Sequence, residues 1–228
     1  MRVRTLPDDH DTMIELFLAE LAQRVPLRGV IHVGAHAGQE VPHYLARDLR
    51  PVILIDANPA WVEVLAERYR RNEDVSVLHC AIGEADGEID LNINVSRTGS
   101  DEASSILPLK RLSQIVPTLQ THRTIRVPVH SLDSLAQEHD WSACNFLNMD
   151  IQGAELMALR GAPKLLQQLD ALLIETNVIE MYEGCATLEE FDAELGRAGF
   201  SCVERVLHEL YDERGTFPAW GESLYLRT

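Results

Sequence analysis

The sequence predicts one α/β domain: a mostly parallel sheet with helices on both faces and an antiparallel hairpin at the C-terminal end. Three observations carry that expectation. Residues 29–33, 51–55, 75–80, 144–149 and 171–174 are short, nearly continuous apolar runs, the composition of strands covered on both faces. Stretches with helical spacing lie between them, at 39–47, 59–71 and 154–169, and such alternation builds parallel strands joined by crossover helices. A chain of 228 residues with 46% apolar content is long enough for one substantial core, so a single domain over 1–228 is expected.

Element by element, Ile14, Leu16, Phe17, Leu18, Leu21 and Val25 recur at mostly helical spacing and predict an N-terminal helix over about 11–25. The alternating core then runs over about 29–177. Within it, Gly83 and Asp86-Gly87 are turn signals, and residues 88–95 alternate polar and apolar like an edge strand. The small polar residues 96–105 read as a flexible loop, expected to close over a ligand. A C-terminal helix and hairpin fill about 187–228, with strands expected at 200–207 and 223–226.

Charge narrows the function. With 36 acidic against 20 basic residues the net charge is −16, which repels a phosphate backbone, and Arg68, Arg70, Arg71 and Lys110-Arg111 are too short a set of basic residues to reverse it. Nucleic acid is therefore not expected as a partner. No uncharged apolar run approaches the ~18 residues of a membrane span, and residues 1–10 lack the pattern of a cleaved leader. Cys80, Cys144, Cys185 and Cys202 form no CxxC pair, so zinc and disulfides are not signalled and a reduced, cytoplasmic setting is expected. The composition specifies no oligomeric state.

Ligands of open α/β sheets gather at the carboxyl ends of the strands, so the residues closing each apolar run carry the functional reading. The first run closes in Gly34-Ala-His-Ala-Gly38, the second in Asp56-Ala-Asn58, the third in Cys80-Ala-Ile-Gly83, the fourth in Asn148-Met-Asp150 and the fifth in Glu175-Thr-Asn177. Gly34 and Gly38 permit a sharp turn and close approach of a ligand, and a helix starting there would offer free N–H groups. Asp56, at the end of the second run, can accept both hydroxyls of a ribose. A pyrophosphate turn needs a middle glycine where this chain has His36, so the pattern suits a nucleoside without phosphates, such as S-adenosylmethionine, with Ala81 and Ile82 as an adenine wall. A nicotinamide-dependent oxidoreductase and a noncatalytic nucleoside-binding protein stay open as alternatives.

The segments VIHVGAHAGQE, VILIDANP, CAIGEADGEIDL, SSIL, VPVHSLDSL, FLNMDIQGAELMALRGA and LLIET follow one another in the order typical of FkbM-type S-adenosylmethionine-dependent methyltransferases. The chain resembles that family over about 29–177, with weaker agreement in GESLYLR. The resemblance implies a class I methyltransferase fold and O-methylation of a hydroxylated small molecule such as a sugar or polyketide-type product. It further implies that Gly34, Ala35, His36 and Gly38 line the methionine end, that Asp56 and Ala57 hold the ribose, that Ala81 and Ile82 flank adenine, and that Asp150 borders the reacting centre. The family commonly has asparagine where His36 stands, glutamate at Asp56, and lysine at Asn148.

Methyl transfer to oxygen is an in-line displacement that needs the nucleophile aligned about 3 Å from the methyl and relieved of its proton. Asp150, Glu175 and His36 are the candidate catalytic residues, with Glu155 and His130 as further acids or bases at the same edge. Glu155 is also placed to bond the backbone of its loop, and His130 to precede a helix cap. Asp150, Glu175 and Asn177 offer oxygens suited to magnesium, but their spacing fixes no coordination shell, so a divalent metal is possible without being indicated. Trp220 and Tyr182 are candidate substrate-side walls.

Overall fold

The computed structural model describes residues 2–4, 10–212 and 215–228. Residues 1 and 5–9, part of the segment read for a leader, and 213–214, part of the segment read as linking the late strands, lie outside the described residues. In chain order the elements are β1 (Arg2–Arg4), α1 (His10–Ala22), β2 (Gly29–Val33), α2 (Val41–Ala46), β3 (Val52–Asp56), α3 (Pro59–Tyr69), β4 (Val75–His79), β5 (Ala81–Ile82), β6 (Gly87–Val95), α4 (Arg111–Ile115), β7 (Gln120–His130), α5 (Leu132–Glu138), β8 (Cys144–Met149), α6 (Glu155–Arg160), α7 (Leu165–Gln168), β9 (Ala171–Asn177), α8 (Leu188–Arg197), β10 (Phe200–Asp212) and β11 (Gly215–Arg227).

Eight strands form one sheet in the order β1-β10-β11-β9-β8-β2-β3-β4. The five apolar runs are its parallel centre, and the β10–β11 hairpin joins antiparallel to β9. Alternate residues of each strand feed opposite faces. Val30, Val52, Leu54, Phe146 and Leu173 pack against α1, α2 and α3, while Ile31, Val33, Ile55, Leu147 and Ile174 pack against α5, α6, α7 and α8. Burying each such aliphatic side chain contributes about 1.5–3 kcal/mol, and the two faces together hold the central strands in place. No helix among the described residues is long and apolar enough to cross a membrane.

Local chemistry sets the element boundaries. Asn58 caps α3 by accepting the Ala60 N–H at 3.1 Å, with Pro59 in the first turn where its missing N–H costs nothing. Ser131 caps α5 from the Ser134 N–H at 3.1 Å, and Thr187 with Glu190 forms a capping box on α8.

Four features differ from the sequence reading. The helix expected over 154–169 is two short ones, because Gly161 closes α6 where any β-carbon would overlap the Gly83 carbonyl, and Pro163 follows. The helix expected from residue 39 begins only at Val41, and its first N–H is not free but donates to the Gly38 carbonyl at 3.3 Å. Ala81-Ile82 does not extend β4; it is β5 of a separate three-stranded sheet, β5-β7-β6, in which the alternating run of β6 pairs antiparallel with β7. The late strands are each 13 residues long and continue past the main sheet, and β1 adds parallel to β10.

Candidate active site

The order of the parallel strands reverses at β2, which has β3 on one side and β8 on the other, and two cavities open at the carboxyl edge there. The first spreads toward β3. Asp56, Ala57, Trp61, Ala81, Ile82 and Asp101 are among its lining residues. The Asp56 carboxylate accepts the His36 N–H at 2.7 Å through Oδ2 and the Asn58 N–H at 2.7 Å through Oδ1, which fixes its orientation and leaves each oxygen a second lone pair. Burial raises its pKa and these two N–H groups oppose the rise. The loop 96–105 crosses the mouth: Asp101 accepts from Asn58 Nδ2 at 3.0 Å and from Trp61 Nε1 at 3.1 Å, and stands 3.1 Å from His36 Nε2. The His36 ring lies 4.0 Å from that of Trp61, and its Nδ1 is buried without a hydrogen-bond partner.

The second cavity shares Gly34, His36, Glu102, Asp150 and Gln152 with the first and extends toward β9 and β11 beneath α1. Asp150 and Glu175 face each other across one side chain, Gln152. Its Nε2 donates to Asp150 Oδ1 at 2.7 Å and to both Glu175 oxygens at 3.3 Å, while its Oε1 accepts the Tyr182 hydroxyl at 2.6 Å. Gln152 has φ 57° and Gly153 φ 101°, a left-handed pair held by Glu155. The Glu155 carboxylate accepts N–H groups from Ile151 at 2.9 Å and Gly153 at 3.0 Å. Burial, then the neighbouring Asp150, pushes Glu155 up to about 7. Burial raises Glu175 well above the ordinary carboxylate range too, with Asp150, Glu155 and Glu222 adding to the effect. Glu222 is the cross-strand partner of Glu175 and sits 2.8 Å from His208, whose ring stacks on Trp220 at 5.2 Å.

A family model, the methyltransferase FkbM domain, matches residues 32–202. The chain belongs to the FkbM methyltransferase family. Among solved structures, this family member is similar to PH1948 of Pyrococcus horikoshii, provisionally described as an RNA methyltransferase, at 10% identity and a TM-score of 0.50, covering 100% of this chain and 93% of that one. It is similar as well to HI0767 of Haemophilus influenzae, provisionally described as a methylase, at 12% identity and a TM-score of 0.50, covering 95% and 97%. These likenesses show the class I methyltransferase fold. No curated protein matches the chain by sequence.

Within this FkbM domain the residues singled out from sequence divide into three sets. Gly34, His36, Asp56, Ala57, Ala81, Ile82 and Asp150 line the first cavity, although Ala81 and Ile82 reach it from the smaller sheet. Ala35, Glu175 and Trp220 line the second. Gly38, His130, Glu155, Asn177 and Tyr182 line neither. A β-carbon on Gly38 would meet Leu65 at 2.7 Å, so that glycine serves helix packing, and His130 ends β7 at 3.8 Å from Asp86. Gly34 (φ 82°) also has a packing reason: a β-carbon there would overlap the Asp150 carbonyl, so the glycine lets β2 pass β8. Carboxylate oxygens of Asp150, Glu155 and Glu175 lie within 4.8 Å of one another, an oxygen cluster that includes Glu155. The Glu155 oxygens are committed to backbone N–H groups and the Gln152 amide donates to the other two acids, a donor set that fits a cation poorly.

Sequence reasoning passed over Asn58, Trp61, Asp101 and Gln152, all of which line the first cavity. It also passed over His32, a polar residue inside the apolar run of β2, 1% exposed, on the same face as Asn148. Asn148 Nδ2 donates to the Tyr44 hydroxyl at 2.6 Å, and the Tyr44 ring packs edge-on to His32. A histidine at an interior position of a strand covered on both faces was the available signal.

Proposed function

We propose that this FkbM methyltransferase uses S-adenosylmethionine to methylate a hydroxyl oxygen of a small molecule, such as a sugar or polyketide-type product. One observation carries the reading: at the strand-order reversal, a cleft fit for a nucleoside opens directly onto a second cavity bearing paired carboxyl groups. The first cleft fits the cofactor by its donor set. Asp56 keeps lone pairs for a ribose diol, Ala81, Ile82 and Leu91 supply an apolar wall for adenine, and no lysine or arginine lines it for a pyrophosphate. When bound, the cofactor supplies an electrophilic methyl on a sulfonium.

The protein's own residues then have three tasks. Gly34, His36 and Asp150, common to both cavities, border the place where donor and acceptor meet. Asp150 and Glu175, bridged by the Gln152 amide, hold the acceptor hydroxyl, and its proton passes to this carboxyl pair. The loop bearing Asp101 shields the cleft from water. Calorimetry against S-adenosylhomocysteine and NAD, followed by transfer of labelled methyl to hydroxylated acceptors, tests the reading. Binding of the first and label recovered in an ether are expected; tight binding of NAD with no affinity for S-adenosylhomocysteine overturns it.

A further inference from the structure

The second cavity does not end at Glu175. A side pocket continues behind Trp220, sharing Glu102, Gln152, Glu175 and Trp220 with it and walled further by Leu112, Met181, Tyr182 and Asn177. Two independent observations bear on what fits there. First, Asn177 is 1% exposed and its Nδ2 has no hydrogen-bond partner among the described residues. A buried amide donor left without an acceptor is a standing penalty, which an oxygen in the side pocket would relieve. Second, the lining is predominantly acidic, and its three histidines, His32, His36 and His208, lie against Glu40, Asp101 and Glu222. Glu40, Glu102, Asp150, Glu175 and Glu222 line the second cavity, and neither it nor the side pocket has a lysine or arginine among its lining residues. Phosphate and carboxylate recognition calls for arginine, lysine or clustered N–H donors, and bringing an anion among these carboxylates would add repulsion in a partly desolvated space. The remaining wall is apolar and aromatic, suited to the carbon face of a ring.

Resting on the O-methyltransfer reading, we propose that the side pocket is the subsite for the part of the acceptor away from its reacting hydroxyl. The acceptor is an uncharged, oxygen-bearing ring compound that receives a hydrogen bond from Asn177 Nδ2 and stacks on Trp220. It is not a phosphate ester, a nucleotide-linked sugar or a carboxylic acid.

The experiment uses the whole chain loaded with S-adenosylhomocysteine. Ligand-observed NMR is run on matched trios of probes: methyl glycosides, the corresponding sugar phosphates, and the uridine diphosphate sugars. Neutral glycosides are expected to bind at least about tenfold more tightly than their phosphorylated counterparts. Asn177→Leu is expected to weaken the neutral probes about tenfold with S-adenosylhomocysteine affinity retained, which also reports that the variant is folded. Asn177→Asp, with the donor removed at constant size, is expected to weaken them as well. The proposal is overturned by phosphorylated probes binding as well as neutral ones, by neutral binding indifferent to Asn177→Leu, or by no neutral probe binding. A neutral probe that binds as expected but never receives label on oxygen removes the O-methyl reading and leaves the subsite standing.

Discussion

The two cavities at the carboxyl edge are built by opposite rules. The side proposed for the donor has Asp56 locked by two backbone N–H groups, alanines, isoleucines and Leu91 for walls, and a loop latched across it. The acceptor side has several carboxyl groups close enough to raise one another's pKa, bridged by a single amide, with histidines on the sheet beneath. On the proposed function, a cofactor common to many reactions is met by backbone geometry, and an acceptor particular to one reaction by side chains from β8, β9 and β11, far apart in sequence.

The largest expected effect removes the acceptor side's chemistry and leaves the donor side alone. Asp150→Asn should lower kcat about 10²–10³-fold, the usual range for a group that takes part in proton transfer, with donor affinity changed by less than about tenfold. Steady-state kinetics set beside calorimetry separates the two; equal losses in kcat and donor affinity would mean the division between the cavities is drawn in the wrong place. The converse change is Asp56→Asn. It keeps one oxygen acceptor but turns the other toward the His36 or Asn58 N–H as a donor, so S-adenosylhomocysteine affinity should fall about 10–100-fold, with kcat at saturating donor little altered.

This division follows what a sequence can reveal. The central strands were legible because strands covered on both faces must be continuously apolar, and Gly34, Asp56 and Asp150, which line the first cavity, stood out because each closes such a run. Asp101 was not legible as a ligand-side residue, since its partners Asn58 and Trp61 come from a helix start 40 or more positions away. Gln152 sat inside the most distinctive motif, yet its role depends on a left-handed backbone that places its amide between Asp150 and Glu175. The helix split at Gly161 depends on a contact with the Gly83 carbonyl that spacing alone does not encode.

Glu155 offers a test of the acceptor side's packing in isolation from catalysis. Its folded pKa, about 7, exceeds the ordinary 4.5, so between those values the folded state holds a proton that the unfolded chain has released. Its contribution to stability is therefore full below about pH 4.5 and is lost as pH rises through about 7. Urea unfolding across this window should show stability falling with pH, relative to Glu155→Gln, in which that slope is absent. A slope unchanged by the substitution would assign the pH dependence elsewhere, with Glu175 the next group to replace.

The smallest effect concerns the latch. Asp101 gathers the buried Asn58 amide and the partly open Trp61 indole and His36 ring over the donor cleft, where hydrogen bonds to a charged group are worth about 1.5–3 kcal/mol at most. The loop must open to admit the donor, so part of that energy is spent against binding, and the net gain to the closed complex is smaller than the bonds themselves. Asp101→Ala should accordingly raise the donor KM about 3–10-fold and leave kcat within about twofold, while amide exchange across 96–105 quickens. If KM falls instead, the latch competes with the donor for His36 and Asn58, and the loop guards the cleft before binding rather than sealing it afterwards.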